Sequence, residues 1–413
     1  MSNQRRIAVT GVGAWSALGP NVQDAWRALA SGQCGIRAVN LSGGDHAPPA
    51  REWPVAIVEG DIVATLETRL QRRIGTSLDP VALFALGAAH EALAQAGLAG
   101  APALRRRTAV VFGHGLGGLA NLEKAYERFY GLKTAKVHPQ TVPRVMVSAP
   151  VSAIAMEFGV EGPVFAVSSA CASSGHAIIQ GAQLIASGRV DAALVGGSEA
   201  IVTAASLHCW DGLQAISKTV CRPFSLGRDG MVLGEGAGAL LLEALDHACA
   251  RGAPILAELT GTGMSSDAYH LTQPSLAGAM ASMTEACEAA GMLSASGLLI
   301  SAHGTGTPLN DSNEAAAIRG VFGDRAQRHP VIATKSAHGH TIGASTALQA
   351  VLAIIALRQR LAPPILNMLE PDPDCDLDLV LGDARAIDCE AALINSFAFG
   401  GLNTSLVFAR DAR

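Results

Sequence analysis

Cys171 lies in the run Val164-Phe-Ala-Val-Ser-Ser-Ala-Cys171-Ala-Ser-Ser-Gly-His. An apolar, strand-like stretch ends there, small residues make a tight turn, and a long apolar helix begins at or beside the thiol. A helix N-terminus favours negative charge, so this placement predicts a thiol of lowered pKa that is ready to act as a nucleophile. The bland alternative is one more small buried residue, which is what most free cysteines are. Two further apolar runs end in polar groups. Ile300-Ser-Ala-His303-Gly-Thr-Gly-Thr leads on to Asp311 and Glu314, and Val331-Ile-Ala-Thr-Lys335-Ser-Ala-His338-Gly-His340 leads into a small-residue segment. Ends of strands in α/β sheets are where ligands sit. One histidine after a strand is more often a satisfied core residue. Two such ends plus a cysteine at a third form the set that covalent catalysis requires.

Rival chemistries fit less well. His338 and His340 are two apart, a spacing that suits neither one helix face nor a usual zinc site, and no carboxylates cluster with them, so no metal is expected. Gly11-Val-Gly-Ala is not a complete dinucleotide fingerprint, and Gly113-His-Gly-Leu-Gly-Gly and Gly234-Glu-Gly-Ala-Gly lack a phosphate-binding lysine. Close backbone packing explains these glycines better.

The elements that must carry these groups alternate along the chain. Strands are predicted at 7–10, 109–112, 164–168, 192–195 and 238–242, then at 255–260, 298–302, 331–334, 379–381, 392–396 and 405–408. Many are continuous apolar runs, as strands covered on both faces should be. The clearest helices, 80–96 and 342–358, are apolar nearly all round. This alternation predicts a layered α/β architecture. Turn chemistry at Arg251-Gly-Ala-Pro254 divides the chain into 1–252 and 253–413, each with a similar succession of strands and helices.

Composition narrows the function classes. The chain has 413 residues, 49% of them hydrophobic and 16% charged, which is a large buried core and not a disordered polymer. A net charge of −5 argues against a general nucleic-acid binder. Eight scattered cysteines without a CxxC pair read as reduced thiols, and the N-terminus shows no secretory pattern, so a cytoplasmic location is expected. The uncharged stretch 336–357 is long enough for a bilayer span but reads better as a core helix, and no membrane is expected as a partner.

Taken together, the blocks at Cys171, Phe224-Ser-Leu-Gly-Arg-Asp-Gly-Met-Val-Leu-Gly-Glu-Gly-Ala-Gly, His303, Lys335 to His340 and Asn395-Ser-Phe-Ala-Phe-Gly-Gly resemble a β-ketoacyl-acyl-carrier-protein synthase of the decarboxylating Cys-His-His type. The resemblance covers essentially the whole chain. It implies a thiolase-like fold, two βαβ-rich halves in a five-layered α-β-α-β-α sandwich. The first half, 1–252, would carry the nucleophile, and the second, 253–413, the two histidines and the lysine. It also implies an acyltransferase reaction in fatty acid or type II polyketide elongation: an acyl chain held on Cys171 condenses with malonyl-acyl-carrier protein. No cofactor is needed beyond the carrier's phosphopantetheine.

By the same resemblance, His303 and His340 bind the malonyl thioester and promote decarboxylation, and Lys335 stands beside them, held by Glu314 and Asp311. The N–H groups of Cys171 and Phe399 form an oxyanion hole. Thr305 and Thr307 bind pantetheine, and Phe399, Leu116 and Trp210 gate and line the acyl pocket. Arg69, Arg72, Arg73, Lys136 and Arg222 would meet an acidic carrier protein. A homodimer, or a heterodimer with a related ketosynthase-like subunit, is expected. The segment from Trp210 to Cys221 looks most like specialised polyketide, polyene or nodulation synthases. A non-catalytic chain-length partner would lack the nucleophile, and a biosynthetic thiolase would carry a late cysteine where this chain has Asn395-Ser-Phe.

Overall fold

The Gly11-Val-Gly13 pair that matches no nucleotide motif has a packing role. A computed structural model of the chain describes residues 5–42, 49–74, 78–99, 105–134, 136–295 and 297–410. In it a Cβ on Gly11 would stand 2.0 Å from the Ala92 carbonyl oxygen, and one on Gly13 1.9 Å from that of Ala88. Only glycine lets the helix Pro80–Gln95 lie directly on the first strand. The second half repeats the device. Gly261 and Gly263 face the carbonyls of Ala286 and Ser282, at 2.1 and 2.0 Å from a notional Cβ.

That repetition extends to the whole topology. The first half contributes β1 (Ile7–Ser16), β2 (Thr108–Gly113), β3 (Val164–Val167), β4 (Ala192–Glu199) and β5 (Gly236–Ala244). The second contributes β6 (Ala257–Ser266), β7 (Leu298–Ser301), β8 (Val331–Ile332), β9 (Ala391–Ala398) and β10 (Leu402–Ala409). Their spatial orders are β3-β2-β4-β5-β1 and β8-β7-β9-β10-β6, the same permutation. In each half the first three strands of that order are parallel and the remaining pairings antiparallel. Pairing of Ile7, Ala8 and Val9 with Leu259, Glu258 and Ala257 joins the halves edge to edge, so one ten-stranded sheet runs through the molecule.

Helices fill three layers around the strands. We label Pro80–Gln95 α1, Ala149–Phe158 α2, Ser173–Ala186 α3, Leu276–Ala289 α4, Pro308–Phe322 α5 and Ser345–Gln359 α6. Helices α3 and α6 share one core cluster with residues of both halves, including Val195, Leu240, Ile394 and Leu406. Helix α6 is apolar nearly all round because it is enclosed nearly all round, whereas α3 keeps Gln183 exposed. Helices α1 and α2 pack in a second cluster on the first half, and α4 and α5 in a third on the second. This is the five-layered thiolase-like arrangement. The segment Ile342–Gln359 is long and apolar enough to cross a bilayer, but 83% of it is buried in the protein core.

Two sequence expectations change. The strand expected at 379–381 is reduced to isolated bridges, Val331 with Leu379 and Ile365 with Leu381. The run at 331–334 is strand only for Val331–Ile332, because the chain then turns into the short helix Lys335–His338. A three-stranded sheet of Arg37–Leu41, Arg51–Ala56 and Leu233–Gly234 was not foreseen. The apolar run Trp53-Pro-Val-Ala-Ile-Val58 was its one signal, and Pro54 and the polar residues of Arg37–Leu41 weakened it.

Candidate active site

After β3 the chain reaches Ala170 in the left-handed region, φ 49°, makes one 3-10 turn over Ala170–Ala172, and enters α3 at Ser173. A non-glycine residue in that conformation costs ~1–2 kcal/mol, offset here by the Ser173 hydroxyl. That oxygen accepts the Ser169 N–H at 2.8 Å and donates to the Ala170 carbonyl at 2.6 Å. The turn presents Cys171 at its tip. The second half builds the same turn with Ile342 at φ 37°, a 3-10 turn over Ile342–Ala344, and α6 from Ser345. Gly343 stands where Cys171 stands in the first half, since a Cβ there would lie 2.5 Å from the Gly115 nitrogen.

His340 comes two residues before that second turn, and its Nε2 lies 3.2 Å from Cys171 Sγ. His303 follows β7, and its ring meets that of His340 edge-on, centroids 5.4 Å apart. Both rings are buried. The surrounding donors assign their tautomers. Ile342 N–H donates to His340 Nδ1 at 3.2 Å, and the Ser345 hydroxyl lies 2.8 Å from the same atom. Lys335 Nζ faces His303 Nδ1 at 3.3 Å. Each Nδ1 is therefore an acceptor and each Nε2 carries the proton, that of His340 toward the sulfur.

The electrostatics correct the expected thiol. Burial pushes the Cys171 pKa up to about 11, against the pull of Lys335 and of the Phe399 and Cys171 backbone N–H groups. The resting group is a thiol, because desolvation outweighs the charge-stabilising surroundings. Burial and the Lys335 charge hold His303 and His340 well below the usual histidine range, so both are neutral donors. Lys335 is itself lowered to about 8 by burial, which Glu314 opposes.

The supporting contacts also differ from expectation. Lys335 Nζ donates to the His303 carbonyl at 2.5 Å and to Gln349 Oε1 at 2.8 Å. Gln349, buried in α6, donates in turn to the Ala302 carbonyl at 2.8 Å. Glu314 accepts the His303 and Gly304 N–H groups at 2.7 and 2.8 Å, and Asp311 those of Phe224 and Thr305 at 2.9 and 3.1 Å. These acids hold the loop after His303 by hydrogen bonds, and they reach Lys335 through charge. Gln349 and the buried Glu199 were missed by sequence reasoning. The available signal was a lone amide in an apolar helix and an acid closing an apolar strand.

A cavity of about 380 Å³ opens onto Cys171, His303 and His340, with Thr305, Thr307 and Phe399 on its walls. The two threonine hydroxyls are 2.8 Å apart. Trp210 stacks on Phe399, centroids 6.3 Å apart and 26° between planes. Leu116 is 50% exposed, and neither it nor Trp210 is on the cavity walls, where both were expected. The basic residues differ in their local contacts. Arg69 bonds the Pro20 carbonyl and lies over Trp15, Arg72 pairs with Glu157, and Arg222 donates to Thr219. Arg73 and Lys136 are exposed.

The sulfur and two ring nitrogens lie within 4.8 Å of one another, a spacing that suits one metal ion. Ligation through Nε2 would need both rings to change tautomer against Ile342 N–H and Lys335. The arrangement suits instead a substrate oxygen that accepts two N–H bonds beside a sulfur nucleophile.

Comparison with known proteins agrees with this chemistry. The family models for the β-ketoacyl synthase N-terminal and C-terminal domains match residues 4–248 and 256–369. Nodulation protein E of Rhizobium meliloti (strain 1021) is 39% identical over 404 residues, covering 98% of this chain and 99% of that one. The 3-oxoacyl-acyl-carrier-protein synthase 2 of Coxiella burnetii is 34% identical over 415 residues, covering 98% and 99%. The solved ishigamide ketosynthase/chain length factor superposes with a TM-score of 0.90 at 32% identity, covering 99% and 100%.

Proposed function

This chain belongs to the β-ketoacyl synthase family, and on that premise we propose how its residues divide the work. It is an acyltransferase that condenses an acyl thioester with malonyl-acyl-carrier protein to give 3-oxoacyl-acyl-carrier protein. Cys171 takes the acyl group from the carrier's phosphopantetheine thioester, and the departing carrier thiol takes the proton that Cys171 loses. Malonyl-carrier protein then enters, its arm lying along Thr305 and Thr307. The bond to its carboxylate breaks, carbon dioxide leaves, and the electron pair passes to the thioester oxygen. His303 and His340 hold that oxygen through their Nε2–H groups. The enolate carbon attacks the Cys171 thioester, whose oxygen is received by the Cys171 and Phe399 N–H groups. Collapse expels the Cys171 sulfur, which takes a proton from solvent, the one proton that each decarboxylation consumes. The pairing of His340 Nε2 with Cys171 Sγ at 3.2 Å, with His303 alongside, carries this reading.

The remaining assignments follow from it. Residues 1–252 form the nucleophile half and 253–413 the histidine half. Phe399 gates the acyl chain, with Trp210 behind it and Leu116 near its end. The carrier protein meets Arg69, Arg72, Arg73, Lys136 and Arg222. A ketosynthase-like subunit, identical or related, is the protein partner, and no group beyond the carrier's phosphopantetheine takes part. The enzyme works in the cytoplasm. Similarity to nodulation protein E favours a specialised acyl pathway over housekeeping lipid synthesis. The test is to incubate the enzyme with malonyl-carrier protein and a panel of acyl-carrier proteins. The expected product is heavier than the acyl donor by one two-carbon oxo unit. A hydrolysed acyl chain as the sole product would refute the assignment.

A further inference from the structure

Glu199 ends β4 with its side chain fully buried, and no step above uses it. Its Oε2 accepts the Gly115 N–H at 2.6 Å and the Gly343 N–H at 3.0 Å. Its Oε1 accepts the Leu116 N–H at 3.3 Å. Gly115 and Leu116 belong to the loop after β2. Gly343 belongs to the turn behind His340, next to the Ile342 N–H that fixes the His340 tautomer. The corresponding loop of the second half, after His303, is tied by Glu314 and Asp311 of its own half. Glu199 instead reaches from the first half into the second. The fit is close, since a Cβ on Gly115 would lie 2.7 Å from Glu199 Oε2.

We propose that Glu199 is a positioning residue for the condensation, clamping the Leu116 loop to the His340 turn and so setting both the acyl end of the site and the aim of His340 Nε2. The proposal rests on the roles assigned above to Leu116, His340 and Cys171. The clamp is also a charge near the nucleophile. The loop after β2 brings His114, bonded through Nδ1 to the Ser198 carbonyl, and the second-half turn brings His340. The nucleophile turn brings Cys171, with Lys335 beyond it. Burial raises the Glu199 pKa to about 7, and its negative charge raises that of Cys171. Removing the charge therefore lowers the Cys171 pKa.

The test compares Glu199→Gln and Glu199→Ala in the full chain with the wild type. Glu199→Gln keeps an acceptor for Gly115 and Gly343 and loses the charge. Its Cys171 should alkylate with iodoacetamide at lower pH, about threefold faster at pH 8, with acyl transfer retained. Glu199→Ala loses the clamp. Its kcat for carbon dioxide release should fall about tenfold with the KM for malonyl-carrier protein little changed, and its preference between short and long acyl donors should flatten. A wild-type alkylation profile in Glu199→Gln removes the charge effect, and a wild-type kcat and chain-length preference in Glu199→Ala overturns the clamp. If Glu199→Ala yields no soluble protein, Glu199→Asp, which keeps the charge but is one methylene shorter and so cannot reach Gly115 and Gly343 together, decides by the same kcat and chain-length readouts. A wild type that never acylates Cys171 overturns the clamp and the reaction assignment together.

Discussion

With its thiol held near pKa 11 by burial, Cys171 is not a standing thiolate, and its reactivity depends on donors that meet the sulfur as charge develops. Two of these, the Nε2–H groups, keep their direction only while something donates to Nδ1. For His303 that donor is Lys335. Raising the pH through about 8 removes the ammonium charge from beside His303, so the rate of decarboxylation should fall on the alkaline side. Lowering it from 8 toward 6.5 leaves both histidines neutral, so any change in that range belongs to the buried acids Glu199 and Glu314, whose pKa burial raises to about 7. Gln349→Leu removes an acceptor that favours the charged amine, and should move this alkaline limb to lower pH in a single-turnover profile. An unmoved limb would show that Gln349 does not set the Lys335 charge. Cys171, His303, Lys335 and His340 stood out in the sequence because each follows an apolar run and precedes small residues, and the fold brings them together. Gln349 and Glu199 stayed hidden because their partners are distant in sequence, and a lone polar residue in an apolar stretch does not announce what it bonds.

At the scale of elements, the site depends on helices that touch strands through glycine. A methyl group on Gly13 would meet the Ala88 carbonyl 1.9 Å away and lift α1 from β1. Gly13→Ala should cost about 1–3 kcal/mol, read as a lower midpoint in urea, while Cys171 alkylation in the folded fraction keeps its wild-type pH dependence. An unchanged midpoint would mean that the contact relaxes freely. The strands of both halves were legible from their continuous apolar runs, and so were α1 and α6. Boundaries were short by several residues where strands run on into Gly, Ser and Glu, as β4 does from 195 to Glu199. The small sheet around Trp53 stayed hidden because Pro54 interrupts the apolar run 53–58 and its partner strand Arg37–Leu41 is half polar.

On the scale of the molecule, β3 is the outer strand of the first half, and Phe165 on it is 36% exposed. Tyr130 and Met156 are among other apolar side chains left in water, at 72% and 77% exposure. A ketosynthase-like subunit paired along β3 would cover Phe165 and the open edge of the sheet. Phe165→Asp should therefore shift the protein toward monomers by light scattering, and an unchanged mass would place the subunit contact elsewhere. The repeat of five strands per half explains why one half supplies the sulfur and the other both imidazoles. Each half makes the same turn, but only the first has room for a side chain at its tip. The measurement that bears most directly on that division is intact mass with labelled carbon dioxide release, made on Cys171→Ala and on His303→Ala combined with His340→Ala. We expect no acyl adduct on the first, and on the second a full adduct with carbon dioxide release reduced at least about 100-fold. An adduct on Cys171→Ala, or wild-type release from the double histidine variant, would contradict it.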